Sequence, residues 1–253
     1  MGSRGVSLSE RLRRGEPLVG TWVKTPHPHV VEVLGLSALD LLVLDAEHAP
    51  YDRGEIDQCI LAARAAGKPV LVRPASRAPD SILQALDGGA DGIIAPHIRS
   101  AVDAEQLVTA CHYRPGGRGY AGSSRAAAYT TLGMARHRAQ AVSVSVIAQI
   151  EDSEALGAID AIAAVDGIDA LFIGRADLTV SMGAESMDDP RVTDAVERIC
   201  AAGVAANRTI GMFVARTEDI HVWRARGASF FILQSDQEFL LAGARALVAA
   251  TAS

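Results

Sequence analysis

Short apolar runs alternate with amphipathic stretches along the chain, and no long polar linker interrupts them. The apolar runs predict strands at 18–24, 39–45, 69–74, 91–96, 144–150, 168–174, 209–214 and 228–233. Most lack polar alternation, as expected of parallel strands covered on both faces. Helices are predicted between them at 53–66, which Gly67 stops, and at 79–88, which Pro79 and Asp80 open. Further helices are predicted at 101–112, 152–164, 190–206 and 217–226, with a last one at 236–250. Strands that each lead into a helix make an α/β fold, a single (β/α)8 TIM barrel across residues 1–253. A doubly wound open sheet is the competing architecture. It usually has fewer strands and often a glycine-rich phosphate loop directly after a strand, and no Walker sequence occurs here.

One connection breaks the rhythm. Residues 113–141 hold several glycines and arginines between the fourth and fifth strands. Loops of that length in compact domains are usually functional, and one that follows a barrel strand is expected over the active-site face.

Composition narrows the picture. A length of 253 residues suits a barrel of roughly 250. With 4% aromatic content, the core is expected to be mostly Ala, Val, Leu and Ile. A net charge of −6 argues against a general nucleic-acid or anionic-membrane binder. No apolar run reaches the ~18 residues of a membrane span, and residues 1–20 lack a signal-type apolar segment. Cys59, Cys111 and Cys200 are scattered and odd in number, and read as reduced thiols of a cytoplasmic protein.

Barrel enzymes carry their chemistry at the carboxyl ends of strands. Strand two ends in Asp45, Ala46, Glu47 and His48, strand three in Arg73, and strand five in Gln149, Ile150 and Glu151. Strand six runs into Gly174, Arg175, Ala176 and Asp177, and strand one carries Trp22 near its end. Singly, each has a structural reading: a helix-capping acid, a satisfied histidine, a surface arginine. Together, on neighbouring strand ends, they read as an active site. Glu151 and Asp177 are hard oxygen donors suited to Mg²⁺ or Mn²⁺, with Co²⁺ as a third choice. A 2-keto acid would chelate such an ion, and Arg73 would hold its carboxylate or developing oxyanion. Backbone N–H groups near 174–177 would take the other carboxylate oxygen. His48, positioned by Asp45, is the natural proton carrier near neutrality. Lys24 and Lys68 are the only lysines, so a Schiff-base route rests on Lys24 reaching the rim.

At these residues the sequence resembles the HpcH/HpaI class II aldolases over nearly its whole length. The resemblance is carried by GTWVKTPHPHVVEVLGLSALDLLVLDAEHAPYD, VLVRPAS, YRPGGRGYAGSSRAA, QIEDSEAL and DALFIGRADLTVSMG. It implies a metal-dependent aldolase that forms a pyruvate enolate from 4-hydroxy-2-keto acids or 2-keto-3-deoxy sugar acids. It also implies Glu151 and Asp177 as metal ligands, His48 and Asp45 as an acid–base dyad, and Glu47 beside the metal's water. Arg73 and Gln149 match the pyruvate contacts, Ala176 the backbone contact to the carboxylate, and Trp22 the pocket wall. Asp87 matches an acid that reaches a neighbouring subunit's site. The aldehyde side is expected to involve loop residues such as Ser123, Ser124, Arg125 and Phe213. The assembly implied is a homohexamer, a dimer of trimers, with helix 236–250 exchanged between subunits. Arg175 departs from the family's usual proline. Two other readings stay open: a lyase of acyl-CoA thioesters, and a keto-acid-binding barrel without catalysis.

Overall fold

A computed structural model describes residues 6–251, so the ends of the expected 1–253 domain lie outside it. The eight strands are β1 (Leu18–Val23), β2 (Leu41–Asp45), β3 (Val70–Arg73), β4 (Gly92–Ala95), β5 (Ser145–Ile150), β6 (Ala170–Ile173), β7 (Thr209–Val214) and β8 (Ala228–Ser235). They pair in sequence order, all parallel, and β8 closes back on β1. This is the (β/α)8 barrel that the apolar runs predict.

Each predicted strand is present because its residues are apolar on both faces: β2 through β6 are buried at every position. An aspartate before each even-numbered strand from β2 to β6 ties it to the strand before. Asp40, Asp91 and Asp169 accept the backbone N–H groups of Val19, Val70 and Val146 at 3.0, 2.9 and 2.9 Å. Buried N–H groups at strand starts would otherwise go unpaired.

The helices are α1 (Leu8–Arg13), α2 (Pro28–Gly35), α3 (Arg53–Ala65), α4 (Pro79–Gly88), α5 (Ala101–Cys111), α6 (Met134–Gln140), α7 (Ile159–Ala164), α8 (Arg175–Ser181), α9 (Pro190–Ala205), α10 (Asp219–Arg224) and α11 (Asp236–Ala250). Capping boxes, Asp52 with Glu55 and Ser100 with Asp103, start α3 and α5. The hydrophobic pattern does not predict α1, α2, α6 or α8, which span only six to eight residues each. Helices this short do not repeat the 3.6-residue pattern often enough to be seen. The expected helix 152–164 divides into a 3₁₀ segment, Ser153–Ala158, and then α7.

The core has two layers. Between strands and helices lie mainly aliphatic side chains, while the barrel interior holds Trp22, Val43, Leu71, Ile94, Ile147, Phe172, Phe230 and Ile232. Leu8 and Leu12 of α1 join this interior set. The buried core is mostly Ala, Val, Leu and Ile, as composition predicts, with three of the aromatics set inside the barrel. Phe172 sits between Trp22 and Phe230, 5.8 Å from each ring centroid. That stack forms the floor beneath the strand ends.

The long connection is pinned to the barrel's flank. Arg125 makes a two-pronged pair with Asp57 of α3 (Nη1–Oδ1 and Nη2–Oδ2, both 2.7 Å) and also donates to the Gly88 carbonyl. Ala128, Tyr129 and Thr130 all hold positive φ beyond this anchor.

Candidate active site

Strand register builds the first half of the site. Asp45 and Arg73 are register partners at the ends of β2 and β3. Arg73 donates to Asp45 Oδ1 from Nε (3.0 Å) and Nη2 (2.8 Å), and its Nη1 lies 3.2 Å from Glu47 Oε2. Its guanidinium lies 4.2 Å from the centroid of Trp22, a cation–π contact. Asp45 is fully buried; it also accepts the His48 backbone N–H at 3.2 Å, and Lys24 Nζ lies 3.2 Å from its Oδ2. Burial alone would raise the Asp45 carboxyl's pKa, but Arg73, the His48 N–H and Lys24 together hold it below the ordinary value.

Strands β4 and β5 supply the other half. Glu151 follows the last residue of β5 and is 2% exposed. Its Oε1 accepts the His97 backbone N–H at 2.7 Å, and its Oε2 accepts the Gln149 side-chain amide. Gly174 makes room for it: a Cβ at that position would come within 2.8 Å of Glu151 Cβ and 3.0 Å of its Oε2. Glu47, His97 and Glu151 each offer a ligand atom, and these atoms lie within 4.8 Å of one another. Burial raises the pKa of both Glu47 and Glu151, Arg73 and His97 oppose this at Glu47, and the Gln149 amide opposes it at Glu151. Glu47 Oε2 is buried without a hydrogen-bond partner. Two desolvated carboxylates and an imidazole, with Glu47 Oε2 met only by the Arg73 ion pair, match the donor set of a divalent cation.

Most of the expected residues share one cavity of about 460 Å³. Trp22, His48, Arg73, Gln149, Gly174, Ala176, Asp177 and Phe213 all line it, together with Lys24. Asp177 lies in the first turn of α8, exposed, and its charge acts on Glu47. The His48 side chain is 51% exposed, with Nε2 3.8 Å from Glu47 Oε2. Asp45 holds His48 through its backbone N–H, while the acid's carboxylate is engaged with Arg73 and Lys24. The Lys24 ammonium is likewise committed to that ion pair.

Asp87 and Ser124 lie apart from this group. They line a second cavity of about 770 Å³ on the flank, with Asp57 and Arg125. Asp87 is ion-paired with Arg118 of the long connection. The strand-end pattern as read above misses His97, although this residue follows the fourth apolar run as Glu151 follows the fifth. Extending the same reading to that run is enough to find it.

Arg175 points away from the carboxylates. Its guanidinium stacks on Trp223, 4.8 Å from the centroid, and Nη2 donates to the Met187 carbonyl at 3.2 Å. Arg175→Ala is expected to lower stability by about 1 kcal/mol, from the lost stack and hydrogen bond. An unchanged melting temperature would show that the stack contributes nothing.

Residues 18–242 match the HpcH/HpaI aldolase/citrate lyase family. The chain belongs to that family. A hydroxypyruvate/pyruvate aldolase of Rhizorhabdus wittichii is 33% identical over 239 residues, covering 93% of this chain and 94% of its own. A 4-hydroxy-2-oxo-heptane-1,7-dioate aldolase of Salmonella dublin is 32% identical over 246 residues, covering 96% and 93%. Among solved structures, a HpcH/HpaI aldolase/citrate lyase family protein from Burkholderia cenocepacia superposes with a TM-score of 0.92 at 33% identity. That match covers 98% of this chain and 100% of the other. Family membership makes the chain an aldolase-type lyase built on this barrel, in line with the resemblance drawn from its motifs.

Proposed function

We propose that the protein reversibly cleaves 4-hydroxy-2-keto acids to pyruvate or hydroxypyruvate and an aldehyde, through an enolate. The observation that carries this reading is the buried Arg73 guanidinium, which lines the cavity and sets its Nη1 3.2 Å from Glu47 of the Glu47–His97–Glu151 group. The names of the aldolase relatives support it. In this reading Glu151 and Asp177, with Glu47 beside them, hold Mg²⁺, Mn²⁺ or Co²⁺. The bound ion would supply Lewis-acid stabilisation of charge on the keto oxygen.

The chain's own residues do the rest. Arg73, held in plane by Asp45 and Trp22, binds the keto acid's carboxylate or oxyanion with its fork of donors. Arg175, Ala176 and Asp177 at the start of α8 line the same cavity, and their backbone N–H groups would take the second carboxylate oxygen. The solvent-facing imidazole of His48 carries the proton to and from C3, since it lines the cavity and is free to turn. Trp22, Phe172 and Phe213 form an apolar wall that excludes water from the enolate. Asp87 and Ser124 are read as serving a neighbouring subunit's aldehyde side.

The test is proton exchange. Purified protein with Mn²⁺ is expected to wash the methyl protons of pyruvate into D₂O, and EDTA to stop it. No exchange with Mn²⁺ present would end the enolate reading. Parallel retro-aldol assays on free hydroxy-keto acids and on acyl-CoA thioesters separate aldolase from thioester lyase.

We also propose the homohexamer. Helix α11 buries only Asp236 and leaves Leu240, Leu241, Leu247 and Val248 between 54% and 73% exposed. An amphipathic helix with its apolar face in water fits exchange onto another subunit. Leu240→Glu with Leu247→Glu is expected to convert the assembly to monomers in analytical ultracentrifugation. An unchanged sedimentation coefficient would exclude that face from the interface. Among the described residues no helix is long and apolar enough to cross a membrane. The three cysteines are buried free thiols, in keeping with a reducing, cytoplasmic location.

A further inference from the structure

Lys24 follows the last residue of β1, lines the same cavity as Arg73 and His48, and has no part in the reaction as read above. We propose that Lys24 is a positioning residue of this reaction. Its ammonium fixes the second oxygen of the buried Asp45 carboxylate, so that Asp45 presents Arg73 and His48 to the keto acid in one arrangement. The inference rests on the enolate reading given above.

Three observations carry it. First, the two oxygens of Asp45 are divided between its partners. Oδ1 accepts from Arg73 Nε (3.0 Å), from Arg73 Nη2 (2.8 Å) and from the His48 backbone N–H (3.2 Å). Oδ2 has no hydrogen bond and is met by the Lys24 ammonium at 3.2 Å. The last torsion of an aspartate is broad, so a carboxylate held through one oxygen alone is free to tilt. Lys24 removes that freedom, and with it the freedom of the three donors on Oδ1.

Second, the charges need it. The Arg73 guanidinium faces two carboxylates, Asp45 at 2.8 Å and Glu47 at 3.2 Å. Asp45 is fully buried, where a carboxylate without enough counter-charge is costly. With Lys24 sharing Asp45, less of the Arg73 charge is spent on its neighbours. More is left for negative charge that develops on the substrate.

Third, the main chain on both sides of Lys24 is clamped. The N–H groups of Lys24 and Thr25 donate to the two oxygens of Asp236, at 2.7 and 3.1 Å. Asp236 is 2% exposed and opens α11. The Tyr51 hydroxyl lies 3.2 Å from the Val23 carbonyl and 3.3 Å from that of Thr25, and donates between them. A lysine stem carries much rotamer freedom, and a fixed root limits how far its ammonium strays.

The test is methyl-proton exchange of pyruvate, with kcat and KM read separately. Lys24→Met keeps the stem and removes the charge. It is expected to lower kcat about tenfold or more and to move KM by less than about threefold, because the charge that Arg73 meets grows in the transition state. Lys24→Arg is expected to return kcat to within about threefold of wild type. Lys24→Ala is expected to regain rate with added ethylammonium and not with tetramethylammonium, which has no N–H to donate. Tyr51→Phe keeps the ring and loosens only the clamp, so a fall in kcat of about two- to fivefold at unchanged KM is expected. Wild-type kcat in Lys24→Met would overturn the inference, as would a loss confined to KM or a Lys24→Arg no faster than Lys24→Met. Should the Lys24 variants not fold, unchanged kcat in Tyr51→Phe would overturn it. Wild-type protein that exchanges no protons would overturn the enolate reading itself, and this inference with it.

Discussion

Glu151→Gln is expected to abolish metal binding and to cut turnover by about a thousandfold, the equivalent of several kcal/mol of lost charge stabilisation. The substitution keeps the side-chain volume and one oxygen to accept the His97 N–H, while its new NH2 replaces the oxygen that faces Gln149, whose otherwise unpartnered Oε1 can turn to accept from it, so the fold has little reason to change. What it removes is the anionic charge. Isothermal titration with Mn²⁺ alongside initial rates checks both halves, and wild-type turnover from Glu151→Gln in EDTA would refute the role.

The same variant carries a stability prediction of opposite sign. Burial raises the Glu151 carboxyl above its ordinary value of 4.5. A raised carboxyl makes the folded metal-free state bind protons more tightly than the unfolded chain. Its contribution is therefore fully present below the unfolded value and is lost as pH rises through the folded one. At neutral pH the metal-free wild type holds a desolvated carboxylate, and Glu151→Gln removes that cost. Metal-free Glu151→Gln is expected to melt above the metal-free wild type at pH 7, with the gap closing as pH falls below the ordinary carboxyl value. A lower melting temperature at pH 7 would contradict this. That outcome would mark a residue that trades stability for function, a frequent pattern at active sites.

Arg73→Lys is expected to reduce kcat/KM by well over tenfold although it conserves charge. The guanidinium meets Asp45 with two nitrogens, Glu47 with a third and the Trp22 ring with its own plane. A lysine ammonium is a point charge on a flexible stem and cannot make these contacts while also gripping a substrate carboxylate. Asp45 then loses most of what offsets its burial. Its carboxyl lies below the ordinary value of 3.8, so its contribution is present above that value and lost as pH falls through the folded one. Weakening the pair removes about 1–3 kcal/mol at neutral pH, and a thermal melt at pH 7 reads it. An unaffected rate would mean that the keto acid is held elsewhere.

Much of the fold is legible in the sequence. Strands such as LDLLVLD and IDALFIG are apolar on both faces, and the aspartate opening each core run bonds the preceding strand. Asp45, Arg73, Gln149 and Glu151 stand out because a strand's last polar residue in a barrel has only the active-site rim to face. Short helices are not legible. α2 opens with Pro28 behind a His27 cap, and the histidine-rich, proline-broken stretch around it reads as a loop. α8 begins directly after Gly174.

The barrel, its strand number and the residues that each strand end delivers follow from the chain alone, because local patterning and the periodicity of single segments suffice for them. Which of those residues meet is a property of the closed barrel. Closure brings Glu47 after β2, His97 after β4 and Glu151 after β5 to one place, although His97 and Glu151 are 54 positions apart. It also commits the Asp45 carboxylate to Arg73 and Lys24, turns Arg175 onto Trp223, and sets Asp87 and Ser124 in a separate cavity. The physical reason is that a side chain's partner is set by shear, register and rotamer in three dimensions, and a one-dimensional pattern carries none of these.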